Sequence, residues 1–278
     1  MRSSRRSENI IHHFFEKIKY RSRTTSKTVF TPKEDARRQG ENRVEQIYTI
    51  PLNEAFDEVT AGEGKCECAL CILERRLEDN ELDLILGASM MEPAIRIKTN
   101  AAGFCRTHYK RMLGMKNRLG LALMLESHLD ELKKALSPTP IDALRGKKGE
   151  HFSRAVAKKE ESCYVCERVA FHMARSMSNL AAMYAADEAF RKKYEKAPLL
   201  CLPHARAVLE GARRELSGKS LAAFTDVTLG ITFRYLDALR EDVSFFCKKF
   251  DYRYADEPWG NAKDAPIRAA DFLTGKGE

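Results

Sequence analysis

The residues of this sequence best suited to chemistry sit in four short motifs. Cys68-Ala69-Leu70-Cys71 is followed by Cys105-Arg106-Thr107-His108, and the same two patterns return as Cys163-Tyr164-Val165-Cys166 and Cys201-Leu202-Pro203-His204. Cys71 and Cys105 are 34 positions apart, Cys166 and Cys201 35, and the two sets are offset by 95 to 96. Zinc takes four sulfur or nitrogen ligands at tetrahedral geometry, and Cys-x-x-Cys on a tight turn readily supplies two of them. A helix start behind each pair would favour the thiolate that binds metal. The spacing therefore predicts two Cys3His zinc sites, Cys68, Cys71, Cys105 and His108 in one repeat and Cys163, Cys166, Cys201 and His204 in the next. The plainer alternative is a set of buried cysteines that recur because an ancestral unit was duplicated. Duplication alone does not keep every thiol and imidazole position in both copies.

Four protein ligands per site leave no open position for a reactive water, so two structural zinc ions are expected rather than catalytic ones. Iron, alone or as an iron–sulfur cluster, is the lesser option for such a ligand set. Cys66 and Cys247 have no counterparts. Cys66 is read as a spectator, with a ligand or redox role as the alternative. His128, His151 and His172 are read as surface or hydrogen-bonded core histidines. Glu74 and Glu167 follow the Cys pairs at unequal distances, so no general base repeats. The sequence carries no P-loop, no G-x-G-x-x-G after a strand, no G-x-S-x-G and no H-E-x-x-H.

The elements that must position these residues read as helices. The pattern predicts a short extended segment at Ile47–Pro51 and a helix over 72–89. Breaks are expected at Pro93 and from Thr99-Asn100 to Gly103. A helix from about Cys105 to Leu136, bent near Gly114 or Gly120, should bury Leu121, Leu125, Leu129, Leu132 and Leu136 as one stripe. Ser137-Pro138-Thr139-Pro140 ends it, and a linker runs to about 150. Helices are then expected after Cys166 to Ala186, over Glu188–Lys196, after Cys201 to Leu216, and along a final stretch carrying Phe224, Val227, Ile231, Tyr235, Leu239, Val243 and Phe246. Residues 251–278 read as a strap closing the bundle, with Trp259 and Phe272 buried and a short helix starting near Asp264-Pro266.

Composition bounds the rest. The chain has 278 residues, 44% hydrophobic, and a net charge of +8. Residues 1–45 hold 12 Lys+Arg against 6 Asp+Glu, so most of that excess lies in the tail. This segment reads as largely disordered, with one amphipathic island of Ile10, Ile11, Phe14, Phe15 and Ile18. Nucleic-acid binding is not expected except through the tail, and no run approaches a membrane span. No signal-peptide core is visible, and cysteines spaced this way suit a reducing, cytoplasmic setting.

Longer runs resemble an uncharacterised bacterial family, domain-of-unknown-function family 6062. They are Ile47–Phe56, Gly87–Asn100, Asn117–Leu129, Cys163–Val169 and Phe250–Asp264, and the similarity covers about residues 46–273. Ala94 departs from the acidic residue of the family pattern. Leu199-Leu200 stand before Cys201 where Gly103-Phe104 stand before Cys105. The resemblance implies no activity. Some similar proteins bear a transporter substrate-binding label, but the α/β pattern such proteins need is missing here.

The expectation is thus an all-α protein: a basic tail (1–45), a first zinc-helical repeat (46–137), a linker (138–150), a second repeat (151–250) and a strap (251–278). Its function reads as a non-enzymatic cytoplasmic scaffold or binding module for an unknown protein or small-molecule partner. The alternatives are a thiol-based redox sensor, or an enzyme with a pocket between the repeats near Met90-Met91-Glu92 and Arg96.

Overall fold

The computed structural model describes residues 44–61 and 67–275, and the readings of the basic tail and of Cys66 fall outside them. The described residues contain helices and no strand. In order these are α1 (Gln46–Thr60), α2 (Ala69–Leu86), α3 (Pro93–Ala102), α4 (Arg106–Gly114), α5 (Arg118–Leu136), α6 (Pro140–Leu144), α7 (Lys148–Glu160), α8 (Tyr164–Ala186), α9 (Glu188–Glu195), α10 (Leu202–Glu215), α11 (Gly218–Lys248) and α12 (Ala265–Thr274).

The core is built around α8. Val165, Val169, Met173, Met177, Leu180, Ala181 and Tyr184 are buried at three- and four-residue steps, the period that keeps side chains on one helical face. Helices α1, α2, α9 and α10 pack on it. Gly211 of α10 makes the closest approach, since a Cβ there would lie 2.8 Å from the Met177 backbone carbon. Phe56, Tyr184, Phe190, Tyr194 and Phe224 bring α1, α8, α9 and α11 together as a buried aromatic cluster. Inside it the Tyr194 hydroxyl reaches Thr228 Oγ1 at 2.8 Å.

Several local expectations change. The segment expected to be extended at Ile47–Pro51 is the start of α1, with Pro51 inside the helix. Tyr48, Leu52, Ala55 and Phe56 form its buried face while Ile47 and Ile50 are exposed, so the period is 3.6 and the apparent alternation misled. Pro51 removes one bond, to the Ile47 carbonyl, near the helix start. Thr99 and Asn100 do not break the chain but lie within α3, which ends at Gly103 with φ +65°. The helix expected over 105–136 is two helices. Asn117 starts the second by accepting from Gly120 N at 2.8 Å. The apolar stripe of α5 is only partly buried: Leu121 is covered, but Leu129 is 58% exposed, because α5 packs chiefly on α3, with less cover from α7 and α4. The expected linker 138–150 holds α6, started by a Thr139–Asp142 capping box, and the first turn of α7.

Of the segment read as a strap, α12 packs on α10 and α11. Phe272 is buried against Tyr235, whereas Trp259 stays 37% exposed. Its ring lies beside Phe246 and over the Lys249 ammonium, which in turn donates to the carbonyls of Tyr254, Ala255 and Glu257.

Candidate metal centres

All eight expected ligands come together, but not in the expected sets. One quartet is Cys68, Cys71, Cys201 and His204, and the other is Cys105, His108, Cys163 and Cys166; in each, the four ligand atoms lie within 4.8 Å of one another. Each centre therefore takes its Cys-x-x-Cys from one half of the chain and its Cys-x-x-His from the other. This corrects the pairing within repeats.

Helix lengths explain the exchange. From Cys71 the rest of α2, to Leu86, carries the chain about 22 Å, and the 10 residues of α3, which pack chiefly on α5, span only about 15 Å. Cys105 therefore falls short of the first Cys pair. It meets the second instead, where Tyr164 N donates to the Gly103 carbonyl at 2.9 Å and Ser162 Oγ to the Ala102 carbonyl at 2.6 Å. Those two bonds dock the start of α8 against the turn that leads into Cys105.

In the first centre His204 Nδ1 stands 3.2, 3.4 and 3.8 Å from the sulfurs of Cys201, Cys71 and Cys68, and Cys71 and Cys201 are 3.7 Å apart. In the second, His108 Nδ1 stands 3.1, 3.2 and 3.5 Å from Cys105, Cys163 and Cys166, and Cys105 and Cys166 are 3.9 Å apart. Sulfur–metal bonds of about 2.3 Å at tetrahedral angles put neighbouring sulfurs about 3.8 Å apart. The same distances are far too long for disulfides, and the six ligand cysteines are free. Cys68, Cys105, Cys163 and Cys201 are each the residue before a helix, so each centre sits on two helix N-termini whose partial positive charge favours thiolates.

Electrostatics mark the same quartets as places that gather charge. His108 is pushed up to about 10: burial opposes the charged ring, but the Cys163 sulfur and the Glu78 carboxylate outweigh it. His204 rises to about 12 in the same way, through Cys68, Cys71 and Glu74. Cys163 drops to about 3, held as thiolate by Cys166 and, against its burial, by His108, while Cys166 and Cys201 are pushed up by the neighbouring sulfurs. Burial would raise Cys68, yet hydrogen bonds from Cys201, Cys71 and His204 bring it well below the usual thiol range. Three clustered sulfurs share protons when nothing else neutralises them, and a divalent cation would let all three ionise.

Two acidic residues complete the centres. Glu78 accepts from His108 Nε2 at 2.5 Å, and Glu74 lies 3.3 Å from His204 Nε2. Both stand on α2, one turn apart, and each orients the imidazole so that Nδ1 points at its sulfurs. Glu78 was missed in the sequence because it lies 30 residues before its histidine, with nothing local to show that α2 and α4 face each other. Its only signal was the four-residue spacing from Glu74, which places the two on one helical face. Arg111 pairs with Glu78 and Asp79. Such outer partners typically change metal affinity 10–100-fold. Glu78→Ala is therefore expected to weaken metal binding at the second centre by about tenfold or more and leave the first unchanged, as read by competition with a chelator of known affinity.

The other residues singled out in the sequence lie elsewhere. His128 Nδ1 bonds the Asn100 carbonyl at 2.8 Å, His151 lies 3.0 Å from Asp142, and His172 meets the Tyr48 hydroxyl at 3.1 Å. Cys247 is exposed on α11. Arg96 is used in packing, donating to the Leu123 carbonyl and Ser127 Oγ. Met90 lies over Gly120, where a Cβ would come within 2.4 Å of its sulfur. Among the described residues no helix is long and apolar enough to cross a membrane.

The family model described as "Family of unknown function (DUF6062)" matches residues 44–278. No curated protein and no solved structure matches the chain.

Proposed function

The chain belongs to the family of unknown function DUF6062, and since membership carries no activity with it, we propose from the geometry that this is a cytoplasmic, non-enzymatic scaffold or binding module stapled by two zinc ions. The observation that carries the reading is the convergence of three sulfurs and one imidazole nitrogen in each of two quartets. Sulfur-rich tetrahedral sets suit zinc, and four protein ligands close the coordination shell.

The crossed pairing supports a staple. One ion would tie Cys68 to His204, 136 positions apart, and the other Cys105 to Cys166, 61 apart, and so both would fasten the two halves of the chain to each other. The oriented histidines belong to the same picture: Glu74 and Glu78 are engaged with ligand imidazoles rather than placed as free bases. The partner that such a scaffold holds is a protein or small molecule of undefined identity.

Elemental analysis of the full chain, purified without a histidine tag, tests the reading. Two zinc per chain are expected. A value near zero in folded protein, or iron in place of zinc, would overturn it.

A further inference from the structure

The two centres differ in what can reach them. All four ligands of the first are buried, whereas Cys105 and Cys166 of the second are partly exposed. The cavity beside Cys68, Cys71 and Cys201 has a volume of about 30 Å³, room for little more than a water. A cleft of about 630 Å³ between α2, α4 and α8 is lined by Cys166, His108, Glu78, Lys110, Arg111 and Ala170. Cys71 of the first centre borders this cleft too, but it is only 5% exposed.

We propose that the second centre is a modification site for hydroperoxides, with Cys166 the sulfur attacked and Cys163 the sulfur that resolves it, while the first centre stays closed. This rests on the zinc reading above. A reactive thiolate must be reachable; the cleft supplies that access to Cys166, while Arg75, Lys110 and Arg111 in its lining are balanced by Glu74, Glu78 and Asp79, so access rather than net charge separates the two centres. The Cys166 thiolate attacks one peroxide oxygen, the O–O bond breaks, and the departing hydroxide takes a proton to become water. Cys166 is then a sulfenic acid. The Cys163 thiolate, within 4.8 Å, displaces hydroxide from that sulfur, which leaves as a second water after protonation. A Cys163–Cys166 disulfide has formed, two electrons have passed from the two thiolates to the peroxide, and the ion keeps only Cys105 and His108 and departs.

The test uses the full chain loaded with two zinc, in a Cys66→Ser/Cys247→Ser background so that only ligand thiols remain. Hydrogen peroxide is added, released zinc is followed with a colorimetric chelator, and disulfides are mapped by peptide mass. One zinc should leave at least about tenfold faster than the other, together with a Cys163–Cys166 disulfide, and a thiol reductant with added zinc should restore both. Release of both ions at one rate, or a first disulfide between Cys68 and Cys71, would overturn the proposal. Ala170→Phe, which fills the cleft from the exposed face of α8, should keep two zinc and slow the first release several-fold; an unchanged rate would equally overturn it. Protein that never binds two zinc fails at the earlier, separate step of the zinc reading.

Discussion

Removing Cys68 and Cys71 together, as Cys68→Ala/Cys71→Ala, should cost the protein one zinc, and adding Cys201→Ala/His204→Ala should cost no further zinc. Combining Cys68→Ala/Cys71→Ala with Cys105→Ala/His108→Ala should abolish zinc binding altogether. Both combinations delete four ligands, but the first empties one quartet and spares the other, while the second leaves each quartet with two ligands. Structural zinc contributes on the order of 10 kcal/mol, so two missing ligands take a centre out of the tight-binding range. Zinc counted by native mass spectrometry separates the outcomes. Pairing within each repeat requires the opposite result from the two fourfold variants, so the experiment decides the topology directly. The stability cost should follow the zinc count, because residues sharing one ion act as a unit and their effects do not add.

What the sequence made legible was the chemistry rather than the connectivity. The ligand residues could be read because zinc needs particular atoms at particular local spacings, and three-residue spacings are settled within one helical turn. The partner of each pair depended on how far α2 runs, on α3 packing against α5 and α8, and on the bonds that Tyr164 N and Ser162 Oγ make to the Gly103 and Ala102 carbonyls. Neither has a local signature. The long helices were visible through the buried repeats of α8 and α11, whereas α1 was obscured by Pro51 and by isoleucines that turned out to face solvent. Residues 138–150 looked like a linker because their prolines and glycines masked a capping box that starts α6. Glu78 could not have been assigned from the sequence, since its bond to His108, 30 residues on, depends on α2 and α4 facing each other.

Acid should unfold the zinc-loaded protein steeply, with zinc loss and helix loss coincident. In the loaded state each centre holds three thiolates, whereas below the ordinary thiol value of 9.0 the unfolded chain carries those three protons. The unfolded state binds more protons, so stability rises with pH and falls as acid is added. At about 1.36 kcal/mol per proton per pH unit, three thiols give about 4 kcal/mol per unit for each centre. A drop of one or two units therefore removes stability comparable to the roughly 5–15 kcal/mol of a whole domain. Metal-free protein should behave differently. At the second centre the depressed Cys163, near 3 when folded against 9.0, contributes stability that is fully present above 9 and fades as pH falls. The raised His108, near 10 when folded against 6.5, contributes stability that is fully present below 6.5 and fades as pH rises through 10. Between about 6.5 and 9 the two slopes have opposite sign and cancel, so chelated protein that keeps any fold should show little pH dependence there. Denaturant midpoints followed by circular dichroism at pH 6.5, 7.5 and 8.5, with and without zinc, measure both slopes. A loaded protein as flat as the chelated one would mean that no metal–thiolate bonds hold the two halves together.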